Sequence, residues 1–201
     1  MPIGIPSTTV EWLAQNNLGY FTSCIAPTAY QTLPTTAGTF ATGCIIQNTG
    51  DGTTWKNIGT VAVPVWESDS ISILVPMTAA QIISNYTTSL EAIPAYPGRN
   101  IILDNAVFDL TGTATQFTGG GVMNLQYAST ANGAGTTLHA DIAASVITGA
   151  TARVITNRIP KDLSAVATAS ITGIGVYIGT KTAVFAAGTG TAVWRIKYHL
   201  V

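Results

Sequence analysis

Charge is what this sequence has least of. Lys, Arg, Asp and Glu together make up 8% of its 201 residues, against roughly a quarter in an average globular protein. Ions at the surface keep a free monomer soluble and discourage strand edges from pairing with strangers. Here Thr, Ser, Asn, Gly and Ala replace them. Such a surface is cheap to desolvate, because no ion must leave water when another subunit lands on it. The composition therefore points to a chain that works in lasting contact with other protein, and the simpler alternative is an uncharged monomeric β domain.

Other shortages narrow the function classes. The 8 basic residues are scattered, so the cationic stripe that nucleic acid or an anionic membrane requires is missing. The longest apolar runs, such as Ile71 to Met77, are too short to cross a bilayer as a helix. The opening Met-Pro-Ile-Gly-Ile-Pro lacks the basic-then-apolar order of a signal peptide, and the product is expected to stay in the cytosol where it is made. Cys24 and Cys44, the sole cysteines, are then expected reduced and buried rather than bridged. Without clustered histidines beside them, no zinc site is assigned.

What is present reads as β structure. Residues 1–35 read as an extended arm broken by Pro2, Pro6, Pro27 and Pro34. Within it, Thr9 to Asn17 could form a short helix capped by Ser7 or Thr8. Its aromatics (Trp12, Tyr20, Phe21, Tyr30) suggest an arm ordered on a partner. Residues 36–70 read as a small β unit: strands at Phe40 to Gln47 and Thr53 to Ile58 around a turn at Asn48 to Gly52, then Val61 to Trp66. So small a unit has little core of its own.

Residues 71–201 read as the main domain, an all-β, antiparallel sandwich or jelly roll. Strands are expected at Ile71 to Val75 (ended by Pro76), Leu90 to Ala95, Ile101 to Leu110, Val122 to Tyr127, Ala140 to Ile147, Arg153 to Asn157, Gly175 to Gly179 and Ala192 to Leu200. Thr78 to Ser84 is the one helix expected here, capped by Thr78, although Ala140 to Ala144 could also be helical. The last strand sets Val193, Arg195, Lys197 and His199 against Trp194, Ile196, Tyr198 and Leu200, the signature of a half-buried antiparallel strand.

A search for chemistry yields no catalytic, cofactor-binding or metal-binding assignment. Asp104 and Asp109, five apart on one strand, should face opposite sides and serve as surface or turn residues. His139 and Asp141 would share one strand face, with Ser145 beyond, but no strained nucleophile turn accompanies them. Gly119-Gly120-Gly121 lacks the Lys, the Ser/Thr and the helix of a phosphate loop, and reads as a tight connection or a place of close backbone approach. Asn85-Tyr86-Thr87 matches a glycosylation sequon that a cytosolic chain would not use. Trp55, Trp66, Phe108, Phe117, Tyr177 and Trp194 lack a basic frame and read as core or interface.

Two stretches resemble proteins of tailed-bacteriophage particles. Thr42-Gly43-Cys44, Asn48-Thr49-Gly50 and Ile58-Gly59-Thr60-Val61-Ala62-Val63-Pro64-Val65-Trp66 are similar to a small β module of phage particle proteins. The second stretch runs from residue 72 to 201. It carries Ala79-Ala80-Gln81-Ile82, Ile93-Pro94-Ala95-Tyr96-Pro97-Gly98, Thr118 to Gly121 with Leu125-Gln126-Tyr127, Tyr177-Ile178, Ala183, Phe185, Gly188-Thr189-Gly190 and Trp194 to Val201. That order resembles a group of small phage structural proteins. The resemblance implies a non-enzymatic virion component, assembled in the host cytoplasm, that binds itself and another virion protein. The expectation is a capsid decoration (cement) protein, a homotrimer on the major capsid protein shell. The alternative is a tail, collar or fibre component, one that could contact a receptor through its loops; a jelly-roll lectin or glycan-active enzyme is a distant third.

Overall fold

The computed structural model describes residues 11–15, 21–26, 38–48, 54–112, 115–150, 152–164 and 166–201. It is an all-β protein, with 46% of the described residues in strands and 10% helical. Two compact units are formed, Met1–Ile71 together with His199–Val201, and Ser72–Tyr198.

The first unit carries a sheet of β1 (Glu11–Gln15), β2 (Phe21–Ala26), β3 (Phe40–Asn48), β4 (Thr54–Asn57) and β5 (Trp66–Ser68), in that order. Only β2 and β3 run parallel. The helix expected over Thr9 to Asn17 is replaced by β1, paired antiparallel with β2. A helix that short is marginal in water, and the neighbouring strand satisfies the same backbone groups. The rest of that expected helix, the four arm prolines and the turn residues 49–52 lie outside the described residues.

Phe40, Cys44, Ile46, Trp55 and Trp66 form the buried centre of this unit. Phe40 meets Trp66 edge to face at 5.3 Å, a geometry that aromatic quadrupoles favour. Cys44 is a buried free thiol. The turn expected at Gly59 runs on through Val61 to Val65, where Thr60 N–H reaches Val63 O at 3.1 Å. Pro64 has no N–H for a ladder, and the Val65 N–H is taken by the side chain of Asn57 at 3.0 Å. Strand resumes only at Trp66.

In the second unit β6 (Ile71–Met77) leads to the helix α1 (Ala79–Ser84), then to β7 (Leu90–Ile93), β8 (Ile101–Thr111), β9 (Thr118–Gly119) and β10 (Met123–Tyr127). A second helix, α2 (Ala144–Thr148), precedes β11 (Val154–Arg158), β12 (Val176–Thr180), β13 (Phe185–Ala186) and β14 (Thr191–Leu200). These strands make a four-stranded sheet ordered β11-β8-β14-β6, a three-stranded sheet β10-β12-β7 and a short β13-β9 pair.

β6 runs through Pro76 rather than ending there. It is an edge strand, and on an edge the missing N–H of proline breaks no ladder bond. α1 starts as expected: Thr78 accepts from the Gln81 N–H while the Gln81 side chain accepts from the Thr78 N–H, a reciprocal capping box. The strand expected over Ala140 to Ile147 is absent. Only single bridges at His139 and Ile142 form there, and α2 follows, closed by Gly149 N–H to Ser145 O at 3.0 Å.

β14 alternates as its sequence requires, with Ala192, Trp194, Ile196, Tyr198 and Leu200 buried. Trp194 packs on Phe108 at 5.0 Å and on the His139 ring at 5.4 Å, and is a centre of the core. β10 is buried on both faces.

Candidate functional site

β8 supplies the ionic centre of the second unit. Its buried set is Ile101 and Leu103, then Ala106, Phe108 and Leu110, so the alternation slips by one residue between Leu103 and Ala106. A slip of this kind re-aims every later side chain. Asp104 and Asp109 therefore fall in the same outward set, not on opposite faces as expected. They still make no acid/base pair. Five residues at about 3.3 Å each place them about 16 Å apart along the strand, beyond the spacing at which paired carboxylates act.

Asp109 is also not a surface residue; it is 6% exposed. Its Oδ1 accepts from Arg153 Nε at 2.8 Å, and its Oδ2 accepts from Arg153 Nη2 at 2.5 Å and from Arg195 Nη2 at 3.2 Å. The fork of Arg153 matches the carboxylate bidentately. That hydrogen bond, with help from Arg195 and against the opposing effect of burial, holds the carboxyl down at about 2. A carboxylate so held is a poor base and no acid at ordinary pH. Its folded pKa lies below the ordinary 3.8, so its contribution to stability is present above pH 3.8 and is lost as pH falls toward 2. We expect D109A to lower the urea midpoint at pH 7 and R153A to lower it more than R195A, because Arg153 makes two of the three bonds. Equal midpoints for the two arginine variants would contradict this.

The other sequence candidates are kept apart. His139 is fully buried, with Nε2 accepting from Leu125 N–H at 3.2 Å and Nδ1 facing Ala140 O at 2.6 Å. Asp141 lies exposed and pairs with Lys181 Nζ at 3.0 Å, while Ser145 sits exposed on α2. They share no strand face, because no strand forms there. Asn85 is 1% exposed and its Oδ1 caps Leu90 N–H at 3.2 Å, so the sequon amide is shut away by the fold itself. Trp55, Trp66, Phe108, Phe117 and Trp194 are buried. Tyr177 is half-buried and donates to Glu91 Oε1 at 3.1 Å.

Gly120 and Gly121 do mark close approach. A Cβ at Gly120 would fall within the Phe185 ring, and one at Gly121 would overlap the Lys181 carbonyl oxygen. Gly121 N–H bonds Ala183 O at 3.0 Å and Lys181 N–H bonds Val122 O at 2.8 Å, tying the loop to the segment after β12.

Three buried polar residues had no sequence signal of their importance. Asn57 bonds four backbone groups, donating to Phe40 O and Ala41 O and accepting from Gly59 N–H and Val65 N–H. Gln126 donates to Ala128 O and to both oxygens of Thr130, and accepts from Gly135 N–H. The Tyr127 hydroxyl donates to Ile101 O, and burial raises its pKa to about 12. All three use polar side chains to stitch loops to strands.

The outer face of the four-stranded sheet offers a shallow groove lined by Leu74, Asn105, Val107, Arg195 and Lys197 among others. Leu74 is 63% exposed, and Ile155 on the edge strand β11 is 58% exposed. Among the described residues no group of three or more His, Cys, Asp or Glu converges as a metal site, and no helix is long and apolar enough to cross a membrane. Comparisons with protein-family models, with curated proteins and with solved structures find no match to this chain.

Proposed function

We propose that this chain is a structural subunit of a tailed-bacteriophage particle: a capsid decoration protein that seats as a homotrimer on the outer shell and cements neighbouring capsid subunits. Residues 1–70 anchor it and the domain from residue 71 makes the self-contact. The observation that carries this reading is the near-absence of free ionic surface. Only 8% of residues are charged, and several of these are occupied with one another, as in the Asp109 and Asp141 pairs. Interface cores are depleted of charge in the same way. The exposed Leu74, Ile155 and Ile159, together with the edge strands β6 and β11, supply apolar area and unpaired backbone that closed symmetry would cover.

Densitometry of purified virions tests the reading. Hundreds of copies per particle are expected for a shell protein, whereas about a dozen would mark a tail, collar or fibre part. Analytical ultracentrifugation of the purified chain should give a trimer. A stable monomer that turned over a small molecule would overturn the proposal outright.

A further inference from the structure

β10 is hydrogen-bonded along both edges. β12 pairs with it over Met123 to Tyr127. On the other edge the segment 136–142 lies against it as a strap: Tyr127 N–H to Thr136 O at 2.9 Å, Leu138 N–H to Leu125 O at 2.9 Å, and Met123 and Ile142 exchanging bonds at 3.0 and 2.8 Å. At the middle of this ladder the strap offers Leu125 N–H no carbonyl. The acceptor is the side chain of its own His139, through Nε2 at 3.2 Å.

A backbone N–H can only donate, so Nε2 must carry a lone pair. The proton then sits on Nδ1, which donates to Ala140 O at 2.6 Å. The ring is therefore neutral, with both nitrogens engaged. It is fully buried, and lies 5.4 Å from Trp194 of β14. The charged groups that act on it are Arg158 of β11, Lys161 beyond β11 and Asp141 of the strap. Asp141 is itself engaged by Lys181.

We propose that His139 is an acid-operated clasp, whose protonation at Nε2 removes the acceptor of Leu125 N–H and releases the 136–142 strap from β10. The step is a simple proton uptake from solvent. The added Nε2–H confronts the Leu125 N–H, and a charged ring loses its place in an apolar core. Burial, partly opposed by the bond to Ala140, holds the imidazole at about 4, below its ordinary 6.5. A group depressed in this way binds its proton first in the open state. The clasp is thus fully closed above pH 6.5, weakens as pH falls from 6.5 to 4, and stops changing below that. In that window the opening equilibrium should rise about tenfold per pH unit, or roughly 300-fold in all. Asp109, held at about 2, titrates below it.

Amide hydrogen exchange on the full chain tests this, with rates corrected for the intrinsic pH dependence. Protection at Leu125 and Leu138 should be constant from pH 8 to 6.5 and fall by about two orders of magnitude by pH 4. In H139Q the amide oxygen can still accept from Leu125 N–H but does not titrate, so protection there should stay flat over the same range. An imidazole proton titration by nuclear magnetic resonance keeps the proposal testable should H139Q not fold. Of the two histidine signals of the wild type, one should titrate near pH 4. Constant Leu125 protection down to pH 4, an unchanged acid response in H139Q, or the absence of any imidazole titrating near pH 4 would each overturn the clasp.

Discussion

G121A should destabilise the second unit by about 3 kcal/mol or more. The three adjacent glycines separate two reasons for lacking a side chain. Gly119 has φ +63° with only Val184 O nearby at 3.5 Å, so a Cβ there meets conformational strain but little crowding. Gly121 has no positive φ, yet its Cβ would sit on the Lys181 carbonyl oxygen, which is backbone and cannot swing away. Gly120 suffers both, with φ +79° and the Phe185 ring in its path. G119A should therefore cost only about 1 kcal/mol, and G121A and G120A several times that. Urea unfolding of the three variants checks the order. A G121A protein as stable as G119A would mean that the loop is not clamped against the segment after β12.

N57A should be the most damaging polar substitution in the first unit. Asn57 is 0% exposed and has both amide atoms in use, with bonds of 3.3 and 3.1 Å to the Phe40 and Ala41 carbonyls and two of 3.0 Å from Gly59 and Val65 N–H. Removing it strands several backbone groups at once, at about 3 kcal/mol in total. N57D, the same size, keeps the acceptor but points a carboxylate at two carbonyl oxygens. It should match N57A near pH 7 and recover part of the loss on acidification, when the protonated acid can donate again. Thermal melts at pH 7 and pH 4 separate the two variants. If N57D shows no pH dependence relative to wild type, the amide donors are not what hold Phe40 and Ala41.

How far these sites could be read in advance depends on how local their cause is. The alternation of β14 and the Thr78 cap of α1 follow from residues within a few positions of one another, and each was expected; the glycine run was expected as a place of close approach, but the groups that crowd it, Phe185 and Lys181, lie far along the chain. The buried free thiol of Cys44 was too. Asn57 gave no signal, because its partners lie 2 to 17 positions away in sequence. Asp109 was misplaced for a related reason. The slip in β8 that turns it outward is invisible in the letters, and its partner Arg153 is 44 positions on. In place of the strand expected through Ala140 to Ile147, the His139 side chain supplies the acceptor for Leu125 N–H, a single bridge forms at Ile142, and α2 begins at Ala144.

From the sequence alone came the β class, the half-buried face of β14 and the poverty of ions, because propensity, period and composition are properties of neighbouring residues or of the whole list. Only the tertiary structure decided which polar residues are buried and what they hold. A buried Asn, Asp or His is tolerated only if partners arrive to satisfy it, and those partners come from distant segments whose meeting is a result of folding rather than of local pattern.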